Sequence, residues 1–151
     1  MPSELEIKNA GKIIEMLSKI EDVSFEQKRE DIFLVTEPET GLQLIVDVEE
    51  TTVCFIIDVC EIGAEVSKDK LFQLLLEINN DSPHGAFCLD GNKVLFKDNL
   101  EIDNIDQNEL EASVCMPLLT VANNLEAINE IVSPDAIETI EVDDSHYCKK
   151  G

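Results

Sequence analysis

Basic residues are scarce in this chain: 11 lysines and arginines stand against 33 aspartates and glutamates, which gives a formal net charge of -22. A field of that sign repels the phosphates of nucleic acids and the head groups of anionic membranes. We therefore expect neither nucleic acid nor a membrane among the partners. Hydrophobic residues still make up 44% of the 151 positions, so the chain has enough apolar side chains to fold around a core.

Long apolar runs are also missing. No uninterrupted apolar stretch approaches the roughly 18 residues that a membrane-spanning helix requires, and the first twenty residues carry Glu4, Glu6 and Glu15 among spaced apolar positions. The sequence thus predicts no secretion signal and no membrane anchor. Internal repeats and low-complexity linkers are absent too. We expect one domain over residues 1–132, followed by a short helix and a flexible acidic tail over residues 133–151.

The five cysteines form neither a CxxC pair nor a spacing typical of zinc ligands, and their number is odd. A reducing compartment suits such a set, which favours the cytoplasm. His84 with Cys88, and His146 with Cys148, supply metal-ligand types, but each pair lacks a third and a fourth ligand. We therefore expect no metal and no cofactor.

Catalytic motifs are missing as well. Asp81, Ser82 and His84 lie together in the sequence, but no GxSxG nucleophile turn is present, and a hydrolase triad must be assembled in space. Acidic groups such as residues 47–50 lack the glycine and terminal glutamate of a calcium-binding loop. The sequence predicts a protein without enzymatic activity.

What the chain does contain is a series of amphipathic segments that predicts an α+β fold: a helix, an antiparallel strand meander, a second helix, a β-hairpin and a long C-terminal helix. Ser3 and Glu6 form a capping box that opens the first helix, and Asp106 and Glu109 form another that opens the last. Because a proline removes one helical hydrogen bond, Pro117 predicts a bend or a restart of the last helix near residues 114–116.

The strands are predicted from alternating apolar residues and from turn signals. The Asp90-Gly91 pair favours a tight hairpin turn because glycine accepts a positive φ angle. The predicted strands cover residues 23–28, 32–35, 42–48, 52–62, 86–89 and 94–96.

The second predicted helix begins at the N-cap Ser67 and is apolar nearly all round, which indicates burial on both sides. Its second cover is either another subunit or the first or third helix of the same chain. In the strand over residues 52–62, one face is wholly apolar and the opposite face presents Cys54 and Ile56 beside Asp58 and Cys60. We therefore predict a partner or dimer surface on six residues: Cys54, Ile56, Leu71, Phe72, Leu75 and Leu76.

The order of these elements resembles the fold of the type III secretion chaperones, the Tir-chaperone-like group, and more closely that of the bacterial YbjN and YjfI families. The likeness is carried by LFQLLLEIN at residues 71–79, SPHGAF at 82–87, VLF at 94–96 and LTVANNL at 119–125. The stretch from residue 42 to residue 132 takes part. The resemblance implies a small, acidic, cytoplasmic homodimer that has no enzymatic activity and binds an extended or exposed segment of another protein.

Two functions of different classes follow. The first is a chaperone- or adaptor-like module that binds an unidentified protein, with acidic residues steering a basic partner. The alternative is a small ligand-binding domain or enzyme with a pocket between the hairpin and the C-terminal helix, which requires a cavity with convergent polar groups there.

Overall fold

The computed structural model describes residues 1–133, which form three helices and six strands. The predicted short helix after Ser133, the predicted acidic tail and the His146–Cys148 pair lie outside the described residues. The elements in chain order are α1 (Glu4–Leu17), β1 (Ser24–Arg29), β2 (Ile32–Thr36), β3 (Gln43–Val48), β4 (Thr52–Glu61), α2 (Lys68–Asp81), β5 (Ala86–Asp90), β6 (Lys93–Glu101) and α3 (Gln107–Val132). The predicted α+β order of elements is confirmed.

Both predicted capping boxes are present. The Glu6 backbone N–H donates to Ser3 Oγ at 3.1 Å, and the Ser3 N–H donates to Glu6 Oε1 at 2.7 Å. Asp106 and Glu109 repeat the arrangement at 2.8 and 3.1 Å. Two orphan backbone donors are thus satisfied at the start of α1 and of α3, and the acidic side chains face the positive end of each helix dipole.

The six strands form one antiparallel sheet in the order β1-β2-β3-β4-β6-β5. Residue Gly91, with φ of +61°, stands in the predicted hairpin turn between β5 and β6. Strand β6 is longer than the predicted residues 94–96. Its second half pairs with β4 from Ile56↔Lys97 to Thr52↔Glu101, so backbone hydrogen bonds extend the strand through polar residues.

All three helices lie on the same side of the sheet. The residues on that face are buried, among them Phe33, Phe55 and Phe96, each with 0% exposure. Helices α1 and α3 pack directly on the sheet, whereas α2 lies against α3 and the edge strand β5. The core is therefore a single layer between sheet and helices, and the opposite face of the sheet, which we call the open face, carries no helix of the described chain.

Helix α3 runs without a break from Gln107 to Val132, with Pro117 inside it. Of the bend or restart predicted near residues 114–116, the restart does not occur. Pro117, Val114 and Leu118 are all buried in the core, and this packing offsets the one backbone hydrogen bond that the proline removes.

Candidate interaction surfaces

Helix α2 is less exposed than its composition suggests. Leu71 and Leu75, which the sequence placed on a partner or dimer surface, are 0% and 5% exposed because they pack into the core of their own chain. Phe72 is half-buried and packs against the core from its side, while Leu76 is 67% exposed. Only Phe72 and Leu76 of the four predicted α2 residues therefore remain available to another molecule.

Phe72 and Leu76 belong to what we call the outer face of α2. They lie one helical turn apart in a shallow groove with a volume of 690 Å³. The remaining lining residues are polar or acidic: Asp69, Gln73, Glu77, Asn80 and Asp81. Three carboxylates and no basic side chain surround the apolar pair, so this face matches a segment that carries both an apolar and a positively charged side chain.

The side chain of Asn79 fixes the position of α2, because its amide forms hydrogen bonds with the backbone of β5 as a neighbouring strand would. Asn79 Oδ1 accepts from the Phe87 N–H at 2.7 Å, and Asn79 Nδ2 donates to the Phe87 carbonyl at 3.1 Å. These bonds satisfy backbone groups of β5 on the edge of the sheet. They also fix the outer face of α2 relative to the hairpin.

The open face of the sheet holds the other two predicted surface residues. Cys54 and Ile56 on β4 are half-buried, and they alternate with the buried Val53, Phe55 and Ile57. The predicted alternation is confirmed from Val53 to Asp58, but Cys60, predicted on the same face as Cys54 and Ile56, is buried in the core because a β-bulge lies between Asp58 and Cys60. The open face is also apolar on the neighbouring strands, where Leu34 and Ile45 lie in register with Ile56.

Charged groups frame this apolar centre. Burial raises the pKa of the Asp47 carboxyl, and the nearby charges of Glu49 and Asp31 raise it further. Burial also raises the pKa of the Cys54 thiol, so the thiol is protonated at neutral pH. At the other end of the face, Lys93 Nζ forms an ion pair with Asp58 Oδ2 at 3.0 Å.

The sequence neighbours Asp81, Ser82 and His84 do not form a triad. Ser82 Oγ donates to the Ile78 carbonyl at 3.1 Å and so closes the end of α2. His84 Nδ1 lies 4.0 Å from Oδ2 of Asp98, a residue on β6. The same oxygen accepts from Ser113 Oγ at 2.8 Å.

This Ser113–Asp98 bond joins α3 to β6. Ser113 is fully buried, so its hydroxyl is out of reach of a substrate, and its bond to the Asp98 carboxylate links two elements of the fold. The alternative function requires a pocket between the hairpin and α3. Among the described residues on these elements, the Phe87 and Phe96 rings meet edge to face with centroids 4.8 Å apart, and both rings and Val114 are buried in the core.

No group of three or more His, Cys, Asp or Glu side chains within residues 1–133 is arranged to hold a metal ion. In the same part of the chain, no helix is long and apolar enough to cross a membrane. The thiols of Cys54, Cys88 and Cys115 are free.

Known structures share this arrangement. One is a chain of the heterodimeric ExoU–SpcU complex from the type III secretion system of Pseudomonas aeruginosa, with a TM-score of 0.55 and 11% identity over 72% of this chain and 88% of that one. Another is an uncharacterized protein from Methanothermobacter thermautotrophicus, with a TM-score of 0.56 and 16% identity over 83% of this chain and 99% of that one. No curated protein matches the chain in sequence.

The fold thus defines the class: a type III secretion chaperone-like protein, with an antiparallel sheet and three helices on one of its faces. Within that class, the chain belongs to the CesT_Tir_1 family, a type III secretion chaperone family whose model matches residues 7–133.

Two contacts in the structure were not predicted from the sequence. The pairing of Asn79 with Phe87 had a signal, since an asparagine near the end of a helix and seven residues before the start of a strand is placed to reach backbone groups. The bond between Asp98 and Ser113 had none, because neither residue differs in pattern from the polar residues around it.

Proposed function

We propose that this chain is a non-enzymatic, chaperone- or adaptor-like protein that works as a homodimer in the cytoplasm and binds a segment of a partner protein on the outer face of α2. The single observation that carries the proposal is Leu76, an exposed leucine beside Phe72 within a groove whose charged residues are all acidic. Membership of a secretion-chaperone family and the free thiols of Cys54, Cys88 and Cys115 support it.

The partner segment is expected to carry an apolar anchor flanked by lysine or arginine. An exposed leucine and a neighbouring aromatic ring form the apolar centre of the groove, where most binding free energy is gained. Asp69, Glu77 and Asp81 form the rim. Rim charges accelerate encounter and select against acidic segments. A net charge of -22 extends this steering to the whole molecule.

Within the secretion-chaperone class, the kinship with the YbjN and YjfI families remains part of the proposal. It is supported by the matched stretches at residues 71–79 and 82–87, which correspond to α2 and its connection to β5.

The test identifies the partner through the proposed groove and then measures its affinity. A photo-crosslinking phenylalanine analogue in place of Leu76, in cells of the source organism, should capture a protein whose cross-linked peptide contains basic and apolar residues. The purified partner should then bind Leu76→Glu at least about tenfold more weakly than wild type, which corresponds to about 1.4 kcal/mol.

Leu119→Glu is the matched control, because Leu119 is also an exposed leucine, at 52%, but lies on α3 and does not line the groove. It should leave the affinity unchanged. Equal loss in both variants, or a partner that binds Leu76→Glu as tightly as wild type, would contradict the proposed docking site. Circular dichroism and thermal melts verify that both variants are folded.

A further inference from the structure

One row of side chains on the open face has an ordered charge pattern. The strand register aligns five residues on five neighbouring strands: Glu26↔Leu34, Leu34↔Ile45, Ile45↔Ile56 and Ile56↔Lys97. Directly paired residues of antiparallel strands project to the same face, so all five lie together on the open face. The row therefore reads acid, three aliphatic residues, base.

The two ends of this row carry opposite charges at equal distances from β3. Ile45 is its centre, and Glu26 and Lys97 each lie two strands away on opposite sides. At about 4.8 Å between strands, each charge is roughly 10 Å from the centre. A surface of this kind is complementary to itself after rotation by 180° about an axis parallel to β3, because the rotation brings the acidic end of one copy over the basic end of the other.

We propose that the occupant of the open face is a second copy of this chain, stacked sheet on sheet about such a twofold axis. The inference rests on the homodimer in the proposed function and assigns its interface. In this dimer Ile45 faces Ile45 of the partner subunit, Leu34 faces Ile56 of the partner subunit, and Glu26 forms an ion pair with Lys97 of the partner subunit. Stacked sheets lie about 10 Å apart, a gap that a lysine and a glutamate together span.

The charged ends are free to make these pairs. Lys97 is exposed, and no carboxylate in the described part of the chain forms an ion pair with it. Glu26 contacts Lys28 at 3.0 Å, but both side chains are largely exposed, so that bridge is weak and is readily exchanged. Leu34, Ile45 and Ile56 are half-buried, and a second sheet removes their remaining apolar surface from water.

One pairing opposes association. Asp47 lies on β3, two residues from Ile45. In the proposed dimer its carboxyl therefore faces the Asp47 carboxyl of the partner subunit, close to the twofold axis. Two like charges at that position limit the affinity, and the Asp47→Asn substitution should tighten the dimer.

The test is a charge exchange followed by sedimentation velocity at micromolar concentration. The wild type should sediment as a dimer. Glu26→Lys and Lys97→Glu should each weaken the dimer at least about tenfold, because each places like charges over one another at both ends of the row. The double variant Glu26→Lys/Lys97→Glu should recover the wild-type association, since it restores two opposite-charge pairs. Ile45→Glu should be monomeric.

Leu76→Glu separates this interface from the outer face of α2. It should remain dimeric while it loses the partner segment. If Leu76→Glu dissociates the dimer and the sheet variants do not, the homodimer stands and the sheet interface is wrong. A monomeric wild type would refute both the homodimer and the stacked sheets, and would leave the open face to another protein or to the rest of this chain. Single variants that weaken association without rescue in the double variant would also overturn the proposed pairing.

Discussion

Gly85 occupies a position where no side chain fits. Its φ angle is +87°, and a Cβ atom there would lie 2.6 Å from Cε1 of the Phe96 ring and 2.8 Å from the Lys97 carbonyl oxygen. The carbonyl belongs to a central strand and cannot move aside. The connection from α2 to β5 therefore passes close to β6 only because residue 85 is glycine.

The substitution Gly85→Ala should cost roughly 2–5 kcal/mol of unfolding free energy, the sum of the left-handed backbone cost and of overpacking. Urea denaturation checks it. Gly91→Ala is the matched control, because Gly91 also has a positive φ, +61°, but a Cβ there meets nothing within 4 Å. It should cost only about 1–2 kcal/mol. Equal effects of the two substitutions would show that the contact with β6 is unimportant.

At the scale of elements, features that depend on residues close together in the chain were predicted from the sequence. Features that depend on contacts between distant segments were not. The capping boxes at Ser3 and Asp106 and the Asp90-Gly91 turn involve residues within three positions of each other, so the sequence contains the whole interaction. The burial of Leu71 and Leu75 depends on packing beside α3 and β5, which helical periodicity does not contain. The row from Glu26 to Lys97 needs the register of five strands, and only the folded sheet supplies it.

Asn79 offers a test at this scale, because it joins a helix to an edge strand. Asn79→Ala should lower the unfolding free energy by about 1–3 kcal/mol, since the Phe87 N–H and carbonyl lose both of their side-chain partners. Hydrogen exchange should accelerate at the Phe87 amide. Asn80→Ala, a neighbouring exposed asparagine on the same helix, should change neither quantity. An unchanged Phe87 exchange rate in Asn79→Ala would show that α2 is held by apolar packing alone.

For the whole molecule, repulsion among carboxylates dominates the electrostatics. The chain carries 33 acidic and 11 basic residues, and the described part has three ion pairs between a lysine or arginine and a carboxylate, each with at least one substantially exposed member. Exposed pairs contribute little to stability. Helix α3 has four acidic residues, Glu109, Glu111, Glu126 and Glu130, and no basic one. Folding gathers these like charges, so the folded state bears a repulsion that dissolved salt relieves.

The melting temperature should therefore rise between about 0.02 M and about 0.3 M NaCl, as the Debye length falls from roughly 20 Å to below 10 Å. A gain of about 1 kcal/mol corresponds to roughly 2–4 °C in a chain of this size. Glu126→Gln/Glu130→Gln should melt higher than wild type at low salt and respond less to added salt, because both carboxylates are exposed and neither forms an ion pair with a described residue. A melting temperature that falls with salt would mean that favourable ion pairs outweigh repulsion.

The same salt titration distinguishes the outer face of α2 from the open face of the sheet. Salt weakens the binding of a basic segment to the acidic rim of α2, whereas it reduces the net repulsion between two copies of a chain with a charge of -22.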